Sequence, residues 1–224
     1  MKLTIGQEDF ISGLQAVQNV VSSRSTLPIL ANVMLVAEGK TLILTATDLD
    51  VTITKKVSAT VEEEGTITLP VKKLHSIARE VAGNQIELQI KEDVCTIESG
   101  AYSTKMRGLP VEEFPPVTVF QTEGTIKLEQ KNLKSMLRKT VYAVSNDENR
   151  YVLNGLFISI KERKLTMVAT DGRRLAMTEE EVKLTSEETK DVIVPTKAVQ
   201  ELNRLLGEEG KVEITDSSCR ACSL

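Results

Sequence analysis

"TATDLDVTI" at Thr45–Ile53 and "VATDGRRLAM" at Val168–Met177 each carry Ala-Thr-Asp at the end of an apolar run, and a shift of 123 superposes them. The same shift lays Leu30 on Leu153, Val33 on Leu156, Leu35 on Ile158 and Leu42 on Leu165 without a gap. It also lays "DFISGLQAVQNVVS" (Asp9–Ser22) over "NLKSMLRKTVYAVS" (Asn132–Ser145). A shift of 125 then lays "TLPVKKLHSIARE" (Thr68–Glu80) over "IVPTKAVQELNRL" (Ile193–Leu205). Three blocks in one order at nearly one spacing make the chain two copies of one domain. Only the second copy follows its Asp with Gly-Arg-Arg-Leu.

Within each copy a shorter pattern recurs. Leu3-Thr4-Ile5, Ile67-Thr68-Leu69, Ile126-Lys127-Leu128 and Val192-Ile193-Val194 read as strands. Each precedes a run with helical spacing: Phe10, Leu14, Val17, Val21; Leu74, Ile77, Ala78, Val81; Leu133, Leu137, Val144; Val199, Leu202, Leu205, Leu206. Gly83 and Gly207 stand where helices two and four should end, as C′ residues. "NQIELQI", "VCTIES", "LFISI" and "KLTMVAT" add further strands, with turns at "EGK" and "EEEG" between them. Too few helices alternate with these strands for a doubly wound parallel sheet. The pattern predicts an α+β fold, antiparallel sheets covered on one face by two helices per domain. Pro110, Pro115 and Pro116 forbid a central strand and predict an extended linker, giving domains 1–120 and 121–224. Asp48 and Asp171, equivalent under the repeat, are expected to cap a turn at a strand end rather than to form a catalytic pair. Leu49-Asp50-Val51 is expected to continue a strand.

Composition narrows the class. An apolar content of 41% with 27% charged residues is that of a soluble globular chain. No run approaches the roughly 18 apolar residues of a membrane helix. "MKLTIGQEDF" turns acidic too early for a signal peptide, and three cysteines without a framework fit a reducing cytoplasm. The net charge is −4, yet the four helical segments together carry about +5, so the remainder carries about −9. Lys72, Lys73 and Arg79 serve the second helix, Lys131, Lys134, Arg138 and Lys139 the third, Lys197 and Arg204 the fourth. A basic face on acidic material is the footprint of a polyanion site. Catalytic patterns are absent: His75 is the one histidine and has no nucleophile motif beside it, and no Gly-rich phosphate loop occurs. Cys219 and Cys222 have a metal-type spacing but no second pair, so neither a metal nor any other cofactor is expected.

"STLPILANVML" after Arg24, "TATDLDVTI", "RYVLNGLF" and "ATDGRRLAM" resemble the bacterial sliding clamps, the β subunits of DNA polymerase III. The resemblance spans residues 1 to 215. It implies three similar domains per protomer and two protomers closed head-to-tail into a ring. Helices would line the hole, and duplex DNA would be held topologically, without catalysis or sequence preference. It implies DNA contact at Arg24, Tyr151 and Lys197, with Arg150 at the rim; Lys134 and Arg138 join them from the charge pattern. It places a pocket for partner peptides at Thr170, Gly172, Arg173, Arg174 and Leu175, with Leu153 on its floor. The expected partners are duplex DNA, the replicative polymerase, the clamp loader and other clamp-binding peptides, with no membrane partner. A third domain and the last strands of the second find no counterpart in the chain, so an incomplete form is expected. The alternatives are a standalone interaction module that does not encircle DNA and an enzyme acting on a phosphorylated substrate. The single His75 and the missing phosphate loop weigh against the enzyme.

Overall fold

The computed structural model describes residues 1–21, 27–117, 125–145, 147, 149–182 and 190–215. The chain divides into two compact units, Met1–Val117 and Thr118–Leu224. The first unit contains β1 (Lys2–Gly6), α1 (Gln7–Val17), β2 (Asn32–Glu38), β3 (Thr41–Thr47), β4 (Thr52–Ser58) and β5 (Thr60–Glu63). It continues with β6 (Gly65–Pro70), α2 (Val71–Glu80), β7 (Gln85–Lys91), β8 (Val94–Ser99) and β9 (Tyr102–Arg107). Two antiparallel sheets result, in the orders β5-β1-β7-β8-β9 and β4-β3-β2-β6.

Period-two burial makes the sheets one-sided. Leu3 and Ile5 of β1, Ile86 and Leu88 of β7, and Leu42 and Leu44 of β3 all point into one core, each almost fully buried. The helices meet the same core through Phe10, Leu14 and Val17 of α1 and Val71, Leu74, Ile77 and Ala78 of α2. Each buried aliphatic side chain contributes about 1.5–3 kcal/mol over exposure, which is what holds helices of only 10 or 11 residues in place. Glu8 and Asp9 favour the positive end of α1.

The second unit repeats the order: β10 (Thr125–Glu129), α3 (Gln130–Thr140), β11 (Gly155–Lys161), β12 (Lys164–Thr170), β13 (Leu175–Glu181), β14 (Lys190–Pro195), α4 (Thr196–Leu205) and β15 (Lys211–Thr215). A shift of 123 carries β1, α1, β2, β3 and β4 onto β10, α3, β11, β12 and β13, end for end. A shift of 125 carries β6 and α2 onto β14 and α4. The sheet β13-β12-β11-β14 matches β4-β3-β2-β6, and β10 pairs with β15 as β1 pairs with β7. Leu133, Met136, Leu137, Leu156, Leu165, Met167 and Val199 form the second core.

Several expectations fail locally. Leu49-Asp50-Val51 does not continue a strand: it is the turn between β3 and β4, with Leu49 at φ 82°. The Asp48 carboxylate accepts from the N–H groups of Asp50 (3.2 Å) and Val51 (2.8 Å), and Leu49 N–H donates to Thr47 Oγ1. Apolar-polar alternation hid the turn, and the left-handed residue is not a glycine. Neither Gly83 nor Gly207 is a left-handed helix cap; α2 and α4 end on extended Val81 and Leu206. Gly83 is small because a Cβ there would lie 2.4 Å from Ser99 Oγ. Nor is the proline-rich segment simply an extended linker. Val111–Glu113 forms a 3-10 turn, and Phe114 packs with Ile29 and Leu30. Leu109 closes that segment onto Thr68, whose hydroxyl donates to the Leu109 carbonyl at 2.7 Å.

Candidate nucleic-acid and peptide interfaces

Helix α3 is two-faced by its spacing. Leu133, Met136, Leu137 and Thr140 face the core, which leaves Lys131, Lys134, Arg138 and Lys139 on the outer surface around a shallow notch with Ser135 and Glu208. The Thr140 hydroxyl, buried, donates back to the Met136 carbonyl. No acid stands in the first turn of α3, so Glu208 supplies the negative charge from outside. Its Oε1 accepts from Lys134 Nζ at 2.7 Å. That hydrogen bond and the Lys134 charge, with Lys131 and Arg138 beyond, hold the Glu208 carboxyl below the usual range. Glu208 therefore stays ionised through neutral and mildly acid pH.

The loop bearing Glu208 is fixed by Gln130, the first residue of α3. Its side-chain Oε1 accepts from Gly207 N–H at 2.7 Å, and its own N–H donates to the Gly210 carbonyl at 2.9 Å. Elsewhere the cations are spread. Lys72, Lys73 and Arg79 are exposed on α2, Lys197 is half-buried in the first turn of α4, and Arg204 pairs with Glu201 at 2.8 Å. Of the residues expected at DNA, Lys134 and Arg138 lie together on α3, and Lys197 stands on α4. Arg24 lies outside the described residues, and Tyr151 opens a 3-10 turn, Tyr151–Leu153.

Arg150 has neighbours of its own. Its Nε lies 3.4 Å from Asp147 Oδ2, and a Cβ on Gly172 would meet its Nη1 at 3.3 Å. The side chain thus lies beside the second cluster. That cluster is the turn between β12 and β13. Gly172 takes φ 86°, and its N–H donates to Thr170 Oγ1, which in turn donates to the Arg174 carbonyl at 2.7 Å. Asp171 Oδ1 accepts from the N–H groups of Arg173 (2.9 Å) and Arg174 (3.0 Å), and Oδ2 takes Arg174 Nε at 3.0 Å. The two backbone donors and then the Arg174 side chain hold the Asp171 carboxyl below its ordinary range. The Arg174 guanidinium also lies over the Tyr142 ring, 5.6 Å from its centre.

Past the turn, β13 is the edge strand of its sheet. Leu175 and Met177 point outward at 64% and 55% exposure while Ala176 between them is buried. Apolar side chains facing solvent on a strand edge, beside a positive rim, can take an apolar anchor and an acidic group of one extended peptide. Leu153 is half-buried at the end of its 3-10 turn, its N–H bound to the Arg150 carbonyl and its own carbonyl accepting from Ser145 N–H. Arg173 carries no ion pair among the described residues.

Sequence reasoning missed Tyr142, Met177, Gln130 and Glu208. Met177 could have been found, since it follows Leu175 at the period of a strand. Tyr142 sits beyond the end of α3 in a 3-10 turn, where helical spacing gives no guide. Among the described residues no group of three metal-type ligands occurs, and Cys219 and Cys222 lie outside them. Cys95 is buried, its thiol pushed up to about 12 by desolvation. Among the described residues no helix is long and apolar enough to cross a membrane.

Two antiparallel-sheet units of one repeated order, with paired helices on each, define a DNA-clamp architecture. The fold superposes on the DNA polymerase III subunit beta of Pseudomonas aeruginosa with TM-score 0.91 at 35% identity, covering 96% of this chain and 59% of that one. On the sliding clamp of Bacillus subtilis the TM-score is 0.93 at 27% identity, with 97% and 60% covered. The chain belongs to the DNA polymerase III beta subunit family: residues 1–118 match its N-terminal domain and residues 127–220 its central domain. The Beta sliding clamp of Pseudomonas putida is 36% identical over 217 residues, 96% of this chain and 59% of the relative. That of Halalkalibacterium halodurans is 33% identical, with 93% and 58% covered. The chain thus spans a little under three fifths of the relatives it matches.

Proposed function

We propose that residues 1–120 and 121–224 are two domains of a DNA sliding clamp, a cytoplasmic, non-catalytic processivity factor. Its helices face duplex DNA, and its second domain binds partner peptides. Encirclement belongs to the family protein as a whole, of which this chain matches 59% of the length in the Pseudomonas putida relative. The observation that carries the reading is the outer face of α3, where Lys131, Lys134, Arg138 and Lys139 cluster opposite the buried face of Leu133, Met136, Leu137 and Thr140. Such a face attracts phosphates without reading bases, which suits a protein that must slide. Lys197 of α4 and, by resemblance, Arg24, Tyr151 and the rim residue Arg150 complete the DNA-contacting set. Arg150 also lies beside Gly172.

The peptide site comprises Leu153, Thr170, Gly172, Arg173, Arg174 and Leu175. Support comes from exposed Leu175 beside a turn that Asp171 makes rigid, and from a solved Pseudomonas aeruginosa relative that carries griselimycin. The replicative polymerase, the clamp loader and other proteins with clamp-binding peptides are the proposed partners.

The test is a salt titration of binding to a short duplex. Lys134→Ala with Arg138→Ala should weaken binding at low salt and flatten the slope of log K against log salt by about 1.8, or 0.9 per phosphate contact. Peptide binding should not change. An unaltered slope would remove α3 from the DNA interface. Peptide binding with no duplex affinity in the wild type would favour the standalone interaction module.

A further inference from the structure

We infer that Glu208 is an intramolecular counter-anion, seated in the α3 notch where a duplex phosphate would otherwise sit, and that it limits how tightly this face grips DNA. The inference rests on the proposed reading that α3 faces the duplex. Lys134 is the most enclosed cation of the notch, its side chain 22% exposed, while the Glu208 side chain is 70% exposed. At 2.7 Å the pair places a carboxylate oxygen where an approaching phosphate oxygen would bind. A phosphate must displace Glu208 to reach the Lys134 ammonium. Lys131, Arg138 and Lys139 form no ion pair among the described residues and stay open to long-range attraction. The notch therefore attracts a polyanion yet resists closing on it.

An exposed ion pair on flexible stems is weak because both side chains must be ordered. Here the backbone under Glu208 is already ordered, since Gln130 holds Gly207 on one side and Gly210 on the other. Comparison of the copies separates the clasp from the charge. Gln7, the equivalent of Gln130, also ties its own helix start to the loop after the next helix: its N–H donates to the Asn84 carbonyl as that of Gln130 does to Gly210, while its side-chain amide donates to the Ala78 and Val81 carbonyls where Gln130 Oε1 accepts from Gly207. The first-copy loop after α2 is residues 81–84 and contains no acid, whereas the loop after α4 is residues 206–210 and contains Glu208 and Glu209. The position of Lys134 is taken in the first copy by Ile11. The clasp belongs to the fold, and the acid on its base is particular to the second copy.

The experiment measures anisotropy of a labelled duplex of about 20 base pairs between about 25 and 200 mM salt. The wild-type chain is compared with Glu208→Gln, Glu209→Gln, Lys134→Ala, Arg138→Ala and the double variant Glu208→Gln/Lys134→Ala, thermal melts confirming that each is folded. Glu208→Gln should bind roughly two- to fivefold tighter at low salt, since the phosphate that reaches Lys134 no longer has to displace a carboxylate. Glu209→Gln, the same change of net charge one residue away, should give less than half that gain. The gain should vanish in the double variant. Equal effects at 208 and 209, or a gain that persists without Lys134, would overturn the inference while leaving α3 at the DNA. If neither Lys134→Ala nor Arg138→Ala weakens duplex binding, the DNA reading fails, and the inference with it.

Discussion

The two Thr-Asp turns are one piece of backbone put to two uses. At Thr47-Asp48-Leu49 and at Thr170-Asp171-Gly172 the same carboxylate accepts the same two N–H groups, and the same threonine hydroxyl takes the N–H of the left-handed residue. The φ angles agree, 82° and 86°, although one residue is leucine and the other glycine. The turn itself is therefore not what makes the second copy a candidate docking site. What differs is the surroundings. Tyr142, Arg150 and Met177 of the second copy stand where the first has Asn19, Leu27 and Thr54. An aromatic face under Arg174, a guanidinium over Gly172 and an outward apolar side chain on the edge strand are all added around an unchanged scaffold.

The sharpest way to break this comparison is to exchange the turns. Replacing Gly172, Arg173, Arg174 and Leu175 by the first copy's Leu, Asp, Val and Thr should weaken a labelled clamp-binding peptide at least about 30-fold. The melting curve should stay two-unit and cooperative, because the backbone already accepts leucine there. The reverse graft, Gly-Arg-Arg-Leu at residues 49–52, should bind no peptide; tight binding would mean that the turn suffices without its neighbours. A smaller effect separates the two left-handed residues. Leu49→Gly should stabilise the first unit by no more than about 1 kcal/mol, and Gly172→Ala should destabilise the second by about 1 kcal/mol, read from denaturant midpoints.

Acid should then act on the second turn. The Asp171 pKa lies below its ordinary 3.8, so its contribution is complete above that value and is lost as pH falls through the lowered one. Peptide affinity should be level from pH 7 to about 5 and fall only in stronger acid, a fall that Asp171→Asn removes. The smallest effect belongs to α2. Burial, and then the charge of Arg79, lower the His75 pKa below 6.5, and its Nε2 has no hydrogen-bond partner among the described residues. Folding favours the neutral ring, so first-unit stability should be full above 6.5 and decline as pH falls below it. His75→Gln, which copies Gln200 of α4, should flatten that decline; an unchanged pH profile would clear His75 of the effect.

Much of this was legible because the chain aligns with itself. Duplication let Leu30 vouch for Leu153 and Asp48 for Asp171, so strands, helices and the capping role of both aspartates could be read without a structure. What was not legible has two causes, one local and one remote in sequence. Leu49 sits in an apolar-polar alternation that mimics a strand, and only the bonds from Leu49 to Thr47 and from Asp50 and Val51 to Asp48 reveal a turn. That the Arg150 side chain lies beside Gly172, 22 residues on, has no local signal either. Glu208 meets Lys134 across 74 residues, a pairing no local pattern announces.

The pairing of β1 with β7 joins Leu3 to Leu88, and that of β10 with β15 joins Ile126 to Ile214. Each copy thus closes its second sheet on its own first strand. During synthesis at about 5–20 residues per second, Leu3 and Ile5 wait roughly 4–17 s for their neighbours in β7 to be made. The loop to be closed is long, and until β5 and then β7 are made the edges of β1 have no partner. The strand made first thus waits for both of its neighbours, and β8 and β9 extend the sheet only after β7 has reached it.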